Sequence, residues 1–323
     1  MPSIISFGRH LPERVLGNEE LAKRLGCEPG WIETMSGIAE RRIAESEETV
    51  AVMATRAAED CLRRAGVKAA DVGMVIMSSG SSERRFPGPA AEVAHAIGIP
   101  GVPAIDLPIA SAGSLFGMAI AARLAPTFGK ILVVAAERMS GPALAEPLNS
   151  DVAILFGDGA GACLVAEEPG EPGGVLNGVL NIVDSALHSD GTWAKDLRLE
   201  FTGAVQMNGR AVIMQASRKV PGVIGEVLVR NGMTAQDVRY FLLHQANQNL
   251  IDRVARVLGV GSERFPCNIK RYGNTSSASL LIAASEWIET ADLKPGDPVC
   301  FAVFGAGFHW GALLARKAPA RKT

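Results

Sequence analysis

The chain has 323 residues, 48% of them hydrophobic and 20% charged, and 32 Lys plus Arg against 34 Asp plus Glu leave a net charge of −2. A chain this long buries roughly three quarters of its unfolded surface and needs no staples, and its composition excludes disorder, a collagen-like repeat and a small disulfide scaffold. No basic excess marks a nucleic-acid binder.

The N-terminus lacks a basic region followed by an apolar run and a cleavage site, so a cytoplasmic protein is expected. Thr49 to Gly66 reads as a helix, with Thr49 as N-cap and Gly66 as stop. Met74 to Met77 and Pro103 to Leu107 read as short strands, and Ser111 to about Pro126 as an apolar helix. Val102 to Ala122 holds a single charge, Asp106, but Pro103, Pro108 and the polar cluster Ser111 to Ser114 argue against a membrane span. Lys130 to Ala136 is a third strand. The Pro/Gly-rich stretch Glu168 to Gly174 suggests a division into halves 1–170 and 171–323. Beyond it, Arg210 to Arg230, Ala246 to Leu258 and Ser277 to Thr290 read as helices, and Tyr240 to Leu243 and Val299 to Phe304 as strands. Alternating strands and helices predict α/β architecture. The tail Arg316 to Lys322 reads as a solvated end.

Five cysteines, Cys27, Cys61, Cys163, Cys267 and Cys300, show no CxxC spacing, and most read as buried apolar thiols. The five histidines show no HExxH spacing, so no metal is expected. Two glycine clusters, FGDGAG (Gly157, Gly159, Gly161) and GAGFHWG (Gly305, Gly307, Gly311), miss the GxGxxG pattern and lack a phosphate-loop Lys. They read as tight turns and close backbone packing.

Three residues carry candidate chemistry. Ser111 follows a strand and opens a buried helix, where it is either an N-cap or a nucleophile favoured by the helix dipole. Ile109 occupies the first glycine position of GxSxG, so this is not a hydrolase elbow. His244 ends the strand YFLLH, the place where functional groups gather in open α/β sheets, yet a structural histidine fits as well. Asn274, in GNTSS, is either a turn residue or a fixed amide donor.

Taken together, DLPIASAG, FGDGAGA, LHSDG, HQAN, GNTSSAS and FGAGFHWG, in that order, resemble the β-ketoacyl-acyl-carrier-protein synthase III family of the thiolase superfamily. The resemblance runs from Leu11 to the last strand. It implies a five-layer αβαβα thiolase fold from two related halves, a homodimer with Phe86 reaching the partner's pocket, and acyl-CoA or acyl-carrier protein as substrate and partner. It implies no cofactor, no nucleic acid and no membrane. His244 and Asn274 match two members of the family's Cys-His-Asn set. Where the family has Cys, this chain has Ser111. The backbone N–H groups of Ser111 and Ala306 match the oxyanion donors, Trp31 the residue that stacks on adenine, and Arg210, Ile213, Asn247 and Phe304 substrate-contact positions.

Serine changes the chemistry. A helix terminus lowers a thiol's pKa into the working range, but an alcohol needs a base, for which His244 is the expected candidate. The acyl-serine ester is less electrophilic than a thioester. Three functions follow: a decarboxylative condensing enzyme, an O- or N-acyltransferase of secondary metabolism, or a non-catalytic partner subunit or Cys→Ser inactivated form. A minority of the family, linked to priming of aromatic polyketides, is similar in carrying Ser. At the mouth, Met35 and Asn249 stand where the family has Arg, which puts ordinary phosphate binding and carrier docking in question. Arg253, one helical turn beyond Asn249, is a candidate replacement charge. His309 replaces the family's Thr.

Overall fold

The computed structural model describes residues 1–167 and 180–319; the Glu168–Gly174 divide, and with it the expected 170/171 boundary, lies outside them. β1 (Ser3–His10) is not among the expected strands, because a strand buried along most of its length shows no polar alternation. The short pair β2 (Val15–Gly17) and β3 (Glu40–Arg42) brackets α1 (Asn18–Leu25) and α2 (Pro29–Ser36). α3 (Val50–Ala65) has the caps its sequence predicts. The Thr49 hydroxyl accepts from the Val52 N–H at 3.2 Å, and Gly66 turns left-handed at φ 66°; such an N-cap contributes about 1 kcal/mol.

β4 (Val72–Ser78), α4 (Ala90–Ala96), β5 (Ala104–Leu107), α5 (Gly113–Phe128) and β6 (Lys130–Arg138) follow. α5 starts two residues later than predicted and passes through Pro126, whose missing N–H falls in the last turn. Short α6 (Ser140–Ala143) and α7 (Ser150–Ala153) lead into β7 (Asp158–Ala166). The second half comprises β8 (Leu180–Ser189), the ribbon β9 (Leu197–Arg198) and β10 (Gln206–Met207), α8 (Gly209–Arg230), β11 (Tyr240–Leu243), α9 (Gln248–Leu258), α10 (Ile269–Tyr272), α11 (Ser279–Thr290), β12 (Pro298–Gly305) and β13 (His309–Lys317). The expected solvated tail is corrected at its start: Arg316 and Lys317 pair with β8, and Ala318 is buried.

Nine strands form a sheet in the order β11-β12-β13-β8-β1-β7-β6-β4-β5. One pairing pattern occurs twice. β4 lies parallel to β6, β6 antiparallel to β7, and β7 antiparallel to β1. Likewise β11 lies parallel to β12, β12 antiparallel to β13, and β13 antiparallel to β8. The two sets join through Ser3↔Asn181 and Ile4↔Leu180, with Ile182 N–H donating to Pro2 O at 2.8 Å. α5 and α11 pack between them, sharing one apolar core with Phe7 and Val133 on one side and Phe301 and Leu313 on the other. α3 and α4 cover the outer face of the first set, and α8 and α9 that of the second. These are the five layers αβαβα.

The glycines of FGDGAG are not all in turns: Gly159 and Gly161 lie inside β7. A Cβ on Gly161 would stand 2.6 Å from Leu281 Cβ, so β7 and α11 approach at a distance that only glycine permits. Among the described residues no helix is long and apolar enough to cross a membrane.

Candidate active site

Ser111 does not open α5, as its sequence context predicts; it precedes the helix by two residues. It is the centre of a three-residue turn closed by Ala112 N–H donating to Ala110 O at 2.7 Å, and its φ is 63°. Such a turn is strained for a residue with a side chain, and the surroundings hold it. Gly305, at the end of β12, lies against it so closely that a Cβ there would fall 2.3 Å from Ala110 O and 2.8 Å from Ser111 Cβ.

His244 follows β11, with its backbone N–H bonded to Ala302 O at 3.0 Å. Asn274 is clamped at both ends of its backbone by the segment entering FGDG: its N–H donates to Leu155 O (2.9 Å), and its carbonyl accepts from Gly157 N–H (3.1 Å). That glycine motif therefore serves the site by holding Asn274. Ser111, His244 and Asn274 are each at least 93% buried, and all three line one narrow cavity of about 100 Å³. Leu155, Phe156, Val212, Ile213, Leu250 and Phe304 form part of its apolar wall.

Burial pushes the His244 pKa down to about 3, so the ring is neutral near pH 7. Its Nδ1 lies 2.6 Å from Ser279 Oγ, which already accepts from Gln245 N–H at 3.1 Å. Where the Ser279 hydroxyl donates to Nδ1, the imidazole's own proton sits on Nε2. In that tautomer His244 is a donor. No hydrogen bond links Ser111 to His244 among the described residues; the hydroxyl nearest Ser111 Oγ is Ser276 Oγ, at 3.4 Å. The expectation that His244 serves Ser111 as a hydrogen-bonded base is thus not met in this conformation, although the two share a cavity. Asn274 Oδ1 accepts from Ser276 N–H at 2.8 Å, and its Nδ2 makes only a long contact, 3.4 Å, to Ala246 O.

The two expected oxyanion donors differ. Ala306 N–H has no hydrogen-bond partner among the described residues. Ser111 N–H donates to Ser276 Oγ at 3.0 Å, so it must give up or share that bond to hold an oxyanion. His309 buttresses the Ala306 loop. Its Nδ1 lies 2.7 Å from Ser189 Oγ, its ring meets Phe116 edge-on, and its side chain packs where a Gly307 Cβ would stand.

Of the expected substrate contacts, Ile213, Asn247 and Phe304 line the cavity, whereas Trp31 and Arg210 do not. Asn247 is also occupied structurally: its Oδ1 caps α9 by accepting from Asn249 N–H, and its Nδ2 donates to Met35 O. Asn249 Nδ2 donates to Thr34 O and Met35 O at 3.2 and 3.1 Å, so the residue standing for an arginine has become a strut between α9 and α2. Trp31, 37% exposed, borders a separate surface cavity with Leu25, Cys27, Glu28 and Ser150. Arg210 and Arg253 are exposed and form no ion pair among the described residues. Phe86 stands 84% exposed, away from this chain's own cavity.

Ser276, Ser279 and Glu137 are absent from the sequence-based candidates. A run of hydroxyls at 275–277 and an acid closing the apolar strand KILVVAAE were the available signals.

Comparison with known proteins gives a consistent picture. The family model described as 3-Oxoacyl-[acyl-carrier-protein (ACP)] synthase III matches residues 105–191, and its C-terminal counterpart matches 228–317. The chain is 35% identical to the beta-ketoacyl-[acyl-carrier-protein] synthase III of Gloeobacter violaceus, over 98% of this chain and 99% of that protein. It superimposes on the 3-oxoacyl-[acyl-carrier-protein] synthase III of Aquifex aeolicus with a TM-score of 0.91 at 33% identity, covering 98% of this chain and 100% of that one. The priming beta-ketosynthase of the R1128 polyketide biosynthetic pathway superimposes with a TM-score of 0.88 at 29% identity, covering 99% and 97%.

Proposed function

The chain belongs to the 3-oxoacyl-[acyl-carrier-protein] synthase III family, and from that premise we propose a condensing acyltransferase in which Ser111 carries the acyl group. The carrying observation is the convergence of Ser111, His244 and Asn274, from three separate segments, on one narrow cavity. An acyl-CoA or acyl-carrier thioester presents its carbonyl to Ser111. The Oγ–C bond forms, the C–S bond breaks, and the Ser111 hydroxyl proton leaves with the departing sulfur, which is released as the free thiol. Ala306 N–H, unoccupied among the described residues, faces no competing partner for the tetrahedral oxygen.

In the second half-reaction a malonyl-type thioester loses carbon dioxide. Its carbanion attacks the acyl-serine, a C–C bond forms, the ester C–O bond breaks, and the Ser111 alkoxide takes a proton from solvent. His244 Nε2–H and Asn274 Nδ2 are suited to hold the enolate oxygen, because neutral donors in a water-poor cavity stabilise charge that develops only during reaction. The cycle uses no cofactor. We further propose a homodimer in which the exposed Phe86 enters the partner's pocket.

A second reading, transfer to a hydroxyl or amine, is favoured by serine itself, whose ester is a poorer electrophile for a carbanion. Mass spectrometry after incubation with acyl-CoA donors tests the first step: an adduct on Ser111 is expected. Malonyl-CoA then separates the readings, since condensation releases carbon dioxide and a β-keto product. Discharge of the adduct only by alcohols or amines selects the acyltransferase. No adduct with any donor overturns both in favour of a non-catalytic subunit.

A further inference from the structure

One short segment, Asn274 to Ser279, touches both neutral side-chain donors of the cavity. Ser276 N–H donates to Asn274 Oδ1 at 2.8 Å, which turns the amide nitrogen the other way. Ser279 opens α11, and its Oγ lies 2.6 Å from His244 Nδ1. It is buried, and α11 is packed into the core between the two half-sheets. The strand side of the imidazole is held as firmly. His244 N–H donates to Ala302 O at 3.0 Å. Next to it, Gln245 N–H donates to Ser279 Oγ at 3.1 Å, and the Gln245 amide is itself engaged by Asn268 N–H and Leu243 O.

A hydroxyl set between an imidazole and a peptide N–H has one proton to place. Gln245 N–H occupies one lone pair of Ser279 Oγ. A ring carrying its proton on Nδ1 would fill the other, and the Ser279 hydroxyl proton would then need an acceptor elsewhere. Among the described residues Ser279 Oγ makes no hydrogen bond other than those to Gln245 N and His244 Nδ1. A buried polar hydrogen without an acceptor is costly. The arrangement that leaves none at this closed end of the ring has the hydroxyl donating to Nδ1 and the ring proton on Nε2, which opens on the cavity. We propose, on the reading that His244 donates to the enolate oxygen, that Ser279 is the positioning residue that keeps His244 a donor: its hydroxyl fixes the ring as the Nε2–H tautomer before substrate arrives.

The consequence divides the two half-reactions. With its proton on Nε2 the ring has no lone pair to offer Ser111 Oγ, so loading does not draw on Ser279. Condensation does. A ring protonated on Nδ1 would present a lone pair, not a proton, to the developing enolate charge, and would repel it. Loss of the group that sets a histidine's tautomer lowers activity even where the geometry is kept.

Nitrogen NMR of the full chain, labelled at its histidine nitrogens, reads the tautomer directly, with the His244 signals identified by their loss in His244→Gln. The expected pattern near pH 7 is a protonated Nε2 and an unprotonated, hydrogen-bonded Nδ1. In Ser279→Ala the Nδ1 signal is expected to move, and in Ser279→Thr, which keeps the hydroxyl, to return. In parallel, loading by a saturated acyl-CoA is followed by intact-protein mass spectrometry, and condensation by carbon dioxide release from malonyl-CoA. Ser279→Ala is expected to slow condensation about tenfold and loading less than about threefold, with Ser279→Thr recovering most of the loss. A protonated Nδ1 in the unaltered protein overturns the proposal, and that measurement decides even where a Ser279 variant fails to fold. Ring signals indifferent to Ser279→Ala, or equal losses in both half-reactions, also overturn it. The expected ring signals with condensation unslowed overturn instead the reading of His244 as the enolate's donor.

Discussion

The floor of the cavity and its mouth are built by opposite rules. At the floor, Ser111, Asn274, Ser276 and Glu137 are buried, and their hydrogen-bond partners come from five chain segments. At the mouth, Met35 and Ile213 are 49% and 45% exposed, and the two positions where relatives are expected to carry arginine hold Met35 and Asn249. A change at the floor leaves a buried polar group without a partner, which costs about 1–3 kcal/mol. A change at the mouth is absorbed by water.

Four perturbations would break or sharpen that contrast. Ser111→Ala should abolish the covalent adduct and lower turnover by about 10³-fold or more; an adduct persisting on another residue would move the floor elsewhere. Gly305→Ala comes next. The new Cβ meets the backbone oxygen of Ala110 at 2.3 Å, and neither backbone can yield, so a loss of about 3 kcal/mol is expected by denaturant titration, together with slower acylation. Unchanged stability would show that the turn tolerates movement. Asn274→Ala should slow condensation by about 10²-fold while sparing acyl loading, as read by comparing adduct formation with carbon dioxide release. Equal losses would place Asn274 in both steps. Smallest is the mouth: Met35→Arg should lower the KM for acyl-CoA about threefold with kcat unchanged, as a solvent-screened phosphate contact allows, and a changed kcat would mean that mouth and floor are coupled.

The floor also has a pH signature. In the unfolded chain His244 takes up a proton near 6.5, and in the folded protein only near about 3. The unfolded state binds more protons between those values, so this histidine's contribution to stability is full above 6.5 and falls as pH drops toward 3. The stability difference between the unaltered protein and His244→Gln should shrink over that window in acid-dependent urea titrations. A difference independent of pH would show that the folded imidazole is not held neutral.

Legibility followed the range of the interaction. Thr49 and Gly66 announced the α3 termini because a cap is written in adjacent residues. β1, β7 and the middle of β13 escaped, because central strands buried on both faces lose the alternation by which strands are read. Ser111, His244 and Asn274 were legible through motif context. Ser276 was not, since it is unremarkable alone and acquires meaning only beside Ser111, 165 residues away in the chain.

By itself, then, the sequence determined the α/β class, the ends of α3, the family and the unusual alcohol at the nucleophile position, all of which depend on residue identity and short spacing. The tertiary structure decided that His244 is buried with Nδ1 against Ser279, which hydroxyl faces Ser111, and that Leu155 and Gly157 hold the Asn274 backbone. Those outcomes depend on desolvation and on contacts between distant segments, and neither exists until the half-sheets have closed around α5 and α11.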